Sequence, residues 1–148
     1  MNEINHIDFI ISLVAAMVAG VVIGIERQMK KKNAGLKTNA LVAVGAAIFV
    51  NISYSFMGLA NVDNSRIVSQ VIIGVGFLGA GVIMKREKHI SGLATAASIW
   101  CSAGLGCLAA LKMYVELATA TILIVSINLI FGYLNHYIYD KKKDDAGE

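Results

Sequence analysis

The stretch Phe9-Ile-Ile-Ser-Leu-Val-Ala-Ala-Met-Val-Ala-Gly-Val-Val-Ile-Gly-Ile25 holds 17 residues without a charge, bounded by Asp8 on one side and Glu26-Arg27 on the other. At about 1.5 Å of rise per residue, a helix of that length crosses most of the roughly 30 Å hydrocarbon core of a bilayer. Four more runs follow the same rule: 25 uncharged residues over Thr38–Val62, 18 over Ile67–Met84, 22 over Ile90–Leu111, and 23 over Leu117–Tyr139 with His136 neutral. The 148-residue chain is 57% hydrophobic and 16% charged, whereas soluble domains run near half apolar and a quarter charged. The pattern predicts an all-α polytopic membrane protein, a bundle of five transmembrane helices. Residues 1–139 form its transmembrane domain, with spans at about 9–25, 38–60, 67–84, 91–111 and 114–136. A charged cytoplasmic tail over 140–148 is too polar to bury surface and is expected to stay unfolded.

Met1–Asp8 contains Glu3 and Asp8 but no Lys or Arg, so the first run lacks the basic flank of a cleavable signal and reads as a retained helix. Basic residues then set a direction. Arg27, Lys30, Lys31, Lys32 and Lys37 follow the first span, Lys85, Arg86 and Lys88 the third, and Lys141, Lys142 and Lys143 the fifth, while Arg66 and Lys112 alone fall on the other side. Under the positive-inside rule this asymmetry places the N-terminus outside and the C-terminus in the cytoplasm, and it requires an odd number of spans. The net charge of +3 therefore lies in short loops beside lipid. Its partner is the bilayer, and no nucleic acid is expected.

In lipid, helices approach through small residues and polar groups bond across interfaces. Ala16, Gly20 and Gly24 give the first span a small-residue ridge at four-residue spacing. Gly74, Gly76, Gly79 and Gly81 crowd the third, where each glycine costs about 1 kcal/mol of helix propensity relative to alanine. Tight helix contact would offset that cost, and so would an unwound, ligand-lining segment. The string Gly74 to Gly79 also fits G-x-G-x-x-G, but it has no preceding strand and lies mid-membrane, so nucleotide binding is excluded. Gly92, Thr95, Ser98, Ser102 and Gly106 line one stripe of the fourth span, either as hydrogen-bonding glue or as a hydrophilic seam. On the third, Arg66, Gln70 and Gly74 share a face.

No Asp, Glu, Lys or Arg occupies the centre of a span, where proton relays and coupled carriers place ionisable groups. A deep carboxylate cage for Mg²⁺ is thus not formed within one chain, although hydroxyl, amide and carbonyl oxygens can line a path for a hydrated ion. His6, His89 and His136 sit at segment ends without a partnered nucleophile, so no enzyme is expected. Cys101 and Cys107, six apart on one helix, face different ways and read as small buried hydrophobes. Chemistry concentrates at the cytoplasmic boundary, where Glu26 and Lys30 are spaced as an i,i+4 pair and Arg27 projects elsewhere. Thr38 is the expected N-cap of the second span and Ser91 of the fourth.

The strings Gly24-Ile25-Glu26-Arg27-Gln28, Ala34-Gly35-Leu36-Lys37-Thr38, Gly45-Ala46-Ala47, Arg66 to Gln70, Gly76-Phe77-Leu78-Gly79-Ala80-Gly81-Val82-Ile83, and Gly92-Leu93-Ala94-Thr95-Ala96-Ala97 ending in Trp100 resemble, in order, the motifs of the MgtC/SapB family of bacterial inner-membrane proteins. Two positions depart from the pattern: Lys37 stands where Arg is usual, losing the planar fork, and Ala94 where Thr is usual. Longer members continue into a soluble ACT-like domain, and a chain ending at Glu148 reads as the short form. The resemblance implies adaptation to low magnesium, survival in host cells (virulence) for some members, and modulation of other membrane machinery, ATP synthase included. It makes Glu26, Arg27, Gln28, Gly35, Lys37 and Thr38 one motif group, and Arg66, Gln70, Gly74, Gly76, Phe77, Gly79, Gly81, Gly92, Thr95 and Trp100 another. No cofactor is implied; Mg²⁺ enters as a ligand or a signal. The expectation is a non-enzymatic modulator in the inner membrane, a homo-oligomer with a dimer first among assemblies, contacting another membrane protein complex. The alternative is a small Mg²⁺ or cation channel or transporter lined by the span 3 glycines and span 4 hydroxyls.

Overall fold

The computed structural model describes residues 5–54, 56, 63, 65–86 and 89–144, with side chains given through 135 apart from those of 86 and 89. Every uncharged run becomes helical: α1 (His6–Met29), α2 (Leu36–Tyr54), α3 (Ser65–Ala80), α4 (Leu93–Ala110) and α5 (Tyr114–Asp144). Asn5 caps α1 by accepting from the Ile7 amide at 3.1 Å. Four helices are long and apolar enough to cross a membrane; α3 is shorter. Its 16 residues rise only about 24 Å.

The expected span 67–84 is corrected at its C-terminal end. The chain leaves α3 at Gly81 and folds into a hairpin of β1 (Met84–Arg86) and β2 (His89–Ser91), with Lys85 opposite Ile90. The fold is therefore helical with one small two-stranded sheet rather than all-α. Gly92 makes the return: its φ is +91°, and a Cβ there would run into the Val82 carbonyl oxygen. Gly92, with no side-chain cap bond, is also the N-cap of α4. Ser91, expected in that place, instead donates its hydroxyl to the Met84 carbonyl at 3.4 Å across the hairpin. The Thr38 cap is corrected too. Helix α2 starts at Leu36, whose amide donates to Gln28 Oε1 at 3.2 Å, so the end of α1 caps the start of α2.

Both α1 and α4 close with the same device. The amide of Lys32 bonds the Arg27 carbonyl and that of Met113 bonds the Leu108 carbonyl, each at 3.0 Å. Between them, Lys31 and Lys112 hold φ of +53° and +59°, the Schellman arrangement, with lysine where glycine is usual.

Helices α1, α2 and α4 form the centre, α3 lies against α4 and the edge of α2, and α5 against α1 and α4. The shared core is built from small residues, among them Ala16, Ala43, Ala47 and Ala109, around fully buried Ile23, Val50 and Leu105. Outer faces are apolar, as lipid contact requires; Phe77 is 81% exposed. Helix α5 buries Leu117 and Thr121 near its start and is exposed from Leu129 to Asn135. It runs on to Asp144, so the first half of the expected tail continues the helix; 145–148, like Lys88 and residues 55 and 57–62 of the second run, lie outside the described residues.

Candidate functional site at the charged end of the bundle

Glu26 and Arg27 fall on the last turn of α1, and both are buried, at 7% and 4% exposure. Arg27 turns inward because α4 supplies a partner: Nη2 donates to Thr95 Oγ1 at 2.9 Å, across 68 positions of sequence. Glu26 turns toward α5. Lys30 Nζ stands 3.1 Å from Glu26 Oε1, an ion-pair distance without hydrogen-bond alignment, and donates to the Asn128 carbonyl at 2.9 Å. Four buried atoms have no hydrogen-bond partner among the described residues: both Glu26 carboxylate oxygens, Arg27 Nε and Asn128 Nδ2. Burying an ion incompletely paired costs several kcal/mol, so these groups mark the place where the bundle spends stability. They border an open cleft of about 940 Å³ between the end of α1 and α5, lined by Glu26, Arg27, Lys30, Lys32, Asn128 and Tyr133 among others.

A second polar knot lies directly behind. Asn39 is fully buried; its Nδ2 donates to the Ala34 and Gly35 carbonyls at 3.1 and 2.8 Å, and its Oδ1 accepts from Ser102 at 2.9 Å. One amide thus pins the α1–α2 turn to the middle of α4. Nothing in sequence spacing singles it out beyond its being an amide in an uncharged run, a signal that in a membrane segment marks a bonded or functional group.

The remaining expected residues divide sharply. Ala16, Gly20 and Gly24 lie buried against α2, where a Cβ on Gly20 would stand 2.6 Å from the Asn39 carbonyl oxygen and one on Gly24 2.5 Å from Leu36 Cα. Gly106 approaches α2 so closely that a Cβ would overlap the Ala43 carbonyl. Thr95, Ser98 and Ser102 are buried with their hydroxyls bonded, Ser98 to the Ala94 carbonyl at 2.9 Å. Gly35 holds Gln28 against the turn, and Lys37 and Thr38 point outward.

On α3, Arg66, Gln70, Gly74, Gly76 and Phe77 are exposed, and a Cβ at Gly74 or Gly76 would meet nothing within 4 Å. Gly79 packs inward, where a Cβ would stand 3.5 Å from Ala96, while Gly81 is in the turn that follows. Trp100 is half exposed beside the α3–α4 crevice. The α3 glycines and α4 hydroxyls therefore do not converge on one space within the protomer. Among the described residues, no three His, Cys, Asp or Glu side chains gather as a metal site.

Residues 13–137 match the family model described as the MgtC family. The protein MgtC of Salmonella typhimurium (strain LT2) is 47% identical over 122 residues, 82% of this chain and 52% of that protein. The protein MgtC of Brucella abortus (strain 2308) is 44% identical over 120 residues, 80% of this chain and 49% of its own length. The chain spans about half the length of the curated relatives it matches. No solved structure matches it.

Proposed function

Because the chain belongs to the MgtC family, we propose that this multi-pass membrane protein works in the bacterial inner membrane as a non-enzymatic modulator. It acts by helix–helix contact with copies of itself and with another membrane protein complex, in adaptation to low magnesium. Mg²⁺ is then a signal or a ligand rather than a resident cofactor. The orientation that goes with this reading has the N-terminus outside and the charged end, with exposed Lys31, Lys32, Lys37 and Lys85, at the cytoplasmic face.

The observation that carries the reading is the unoccupied face of α3. Gly74 and Gly76 lie exposed with open space beside them, and a groove of about 500 Å³ runs between α2 and α3, bordered by Leu41, Gly45, Phe49, Gln70, Gly74 and Leu78. Glycine offsets its helix cost only where something approaches closely, and nothing among the described residues comes within 4 Å of a Cβ at either position. The channel alternative draws less support, since the α4 hydroxyls it needs already bond inside the bundle.

Crosslinking and pull-down of the tagged chain from native membranes test the reading. Copies of the chain and a second membrane protein should be recovered, and Gly74→Leu should reduce that recovery. Recovery of the monomer alone would defeat the proposal.

A further inference from the structure

We propose that the cleft between the end of α1 and α5 binds the headgroup of a glycerophospholipid bearing a hydrogen-bond donor beside its phosphate, of the phosphatidylethanolamine type. The case rests on which buried groups lack partners. Among the described residues, Arg27 Nε and Asn128 Nδ2 are donors without acceptors and both Glu26 oxygens accept no hydrogen bond, Oε1 having only its ion pair with Lys30, and Glu26 and Arg27 are more than nine-tenths buried.

A bare phosphate would satisfy the donors, but it would meet the Glu26 carboxylate with like charge and give its oxygens no hydrogen bond. A lone cation would do the reverse beside Arg27, Lys30 and Lys32. A ligand carrying a phosphate and an adjacent ammonium satisfies both sets. Three basic side chains against one carboxylate on the wall leave the net positive field a phosphate needs. The amino end of α4, which reaches the cleft at Ala94, adds its unbonded amides to that field.

The apolar part of the wall selects a lipid over a soluble phosphate. Ile127 and Phe131 line the same cleft and are 47% and 57% exposed, so acyl chains have a surface to follow below the headgroup. The site also lies one turn from the end of α1, a 24-residue helix with the hydropathy of a membrane span, which sets the charged groups at headgroup depth. Glu26 is the selective element: phosphatidylcholine offers the same phosphate with no N–H to give it.

The inference rests on the bilayer placement proposed above but not on self-association, and one measurement separates them. The full chain is delipidated in detergent, offered phosphatidylethanolamine or phosphatidylcholine of equal acyl chains, and followed by native mass spectrometry, which reads bound lipid and copy number together. Phosphatidylethanolamine should be retained roughly tenfold better, about 1.4 kcal/mol. Glu26→Gln should erase that preference, and Lys32→Ala combined with Asn128→Leu, neither of which touches the Arg27–Thr95 bond, should weaken both lipids alike. Equal retention by the unaltered chain, no effect of the double variant, or equally tight binding of glycerophosphoethanolamine without acyl chains would each overturn the assignment. Loss of lipid preference with copy number intact would leave the modulator reading standing.

Discussion

Glycines behave oppositely in two regions of this molecule. Between α1, α2 and α4, Gly20, Gly24 and Gly106 are points of close backbone approach with no room for even a methyl group. On α3, Gly74 and Gly76 face outward, and a Cβ at either would meet nothing within 4 Å among the described residues, whereas Gly79 packs against Ala96. In the first region the helix-propensity cost is offset inside the protomer, by packing and by the hydrogen bonds that close approach permits. In the second, no contact among the described residues offsets it. A small-residue ridge in a membrane helix thus signals a close contact without saying which molecule supplies it.

The comparison can be broken most severely at Gly106. Gly106→Leu places a side chain through the Ala43 backbone, so α2 and α4 must separate, and a loss of about 3 kcal/mol or more is expected. Thermal unfolding in detergent should show it as a collapse of the cooperative transition. Asn39→Leu comes next. It removes the side-chain bonds to Ser102 and to the Ala34 and Gly35 carbonyls, leaving Ser102 only the Ser98 carbonyl and Gly35 only the Asn39 amide, and about 1–3 kcal/mol should be lost; Asn39→Asp, which keeps only the acceptor, should not rescue it.

The outward glycines should respond with the opposite sign. Gly76→Ala adds a methyl group to open space and should stabilise the isolated protomer by up to about 1 kcal/mol through helix propensity. Gly20→Ala, at a contact of 2.6 Å, should destabilise it under the same assay; equal signs at the two positions would dissolve the distinction.

The smallest effect belongs to the end opposite the cleft, where the exposed Lys112 and Asp8 pair ties the α4–α5 turn to α1. The hydrogen bond that Lys112 donates to the Asp8 carboxylate raises the Lys112 pKa, so the stabilisation is present below the ordinary lysine value and fades as pH rises through the elevated one. Asp8→Asn should lower the melting temperature slightly at neutral pH and not at all in strongly alkaline buffer.

Much of the bundle is legible in the chain because crossing a membrane is a constraint on length and charge. Five uncharged runs became five helices, and the i,i+4 spacing of Glu26 and Lys30 became an ion pair. The ends of elements were less legible. Thr38 and Ser91 have the right chemistry for caps, yet Gln28 from the preceding helix and a left-handed Gly92 took those places, since a side chain held nearby by tertiary contact outcompetes a local one. The hairpin was hidden for a related reason: two three-residue strands carry no periodicity long enough to read.

By itself, then, the sequence determined that this is a helical membrane protein, which residues can sit in lipid, and that its charge collects at one end. Only the tertiary structure decided which glycines face inward, that Arg27 reaches Thr95 and that Asn39 binds the turn to α4. In water the apolar stripe of a helix marks the buried face. In lipid both faces are apolar, so the inward face is chosen by fit and hydrogen bonding between segments far apart in the chain.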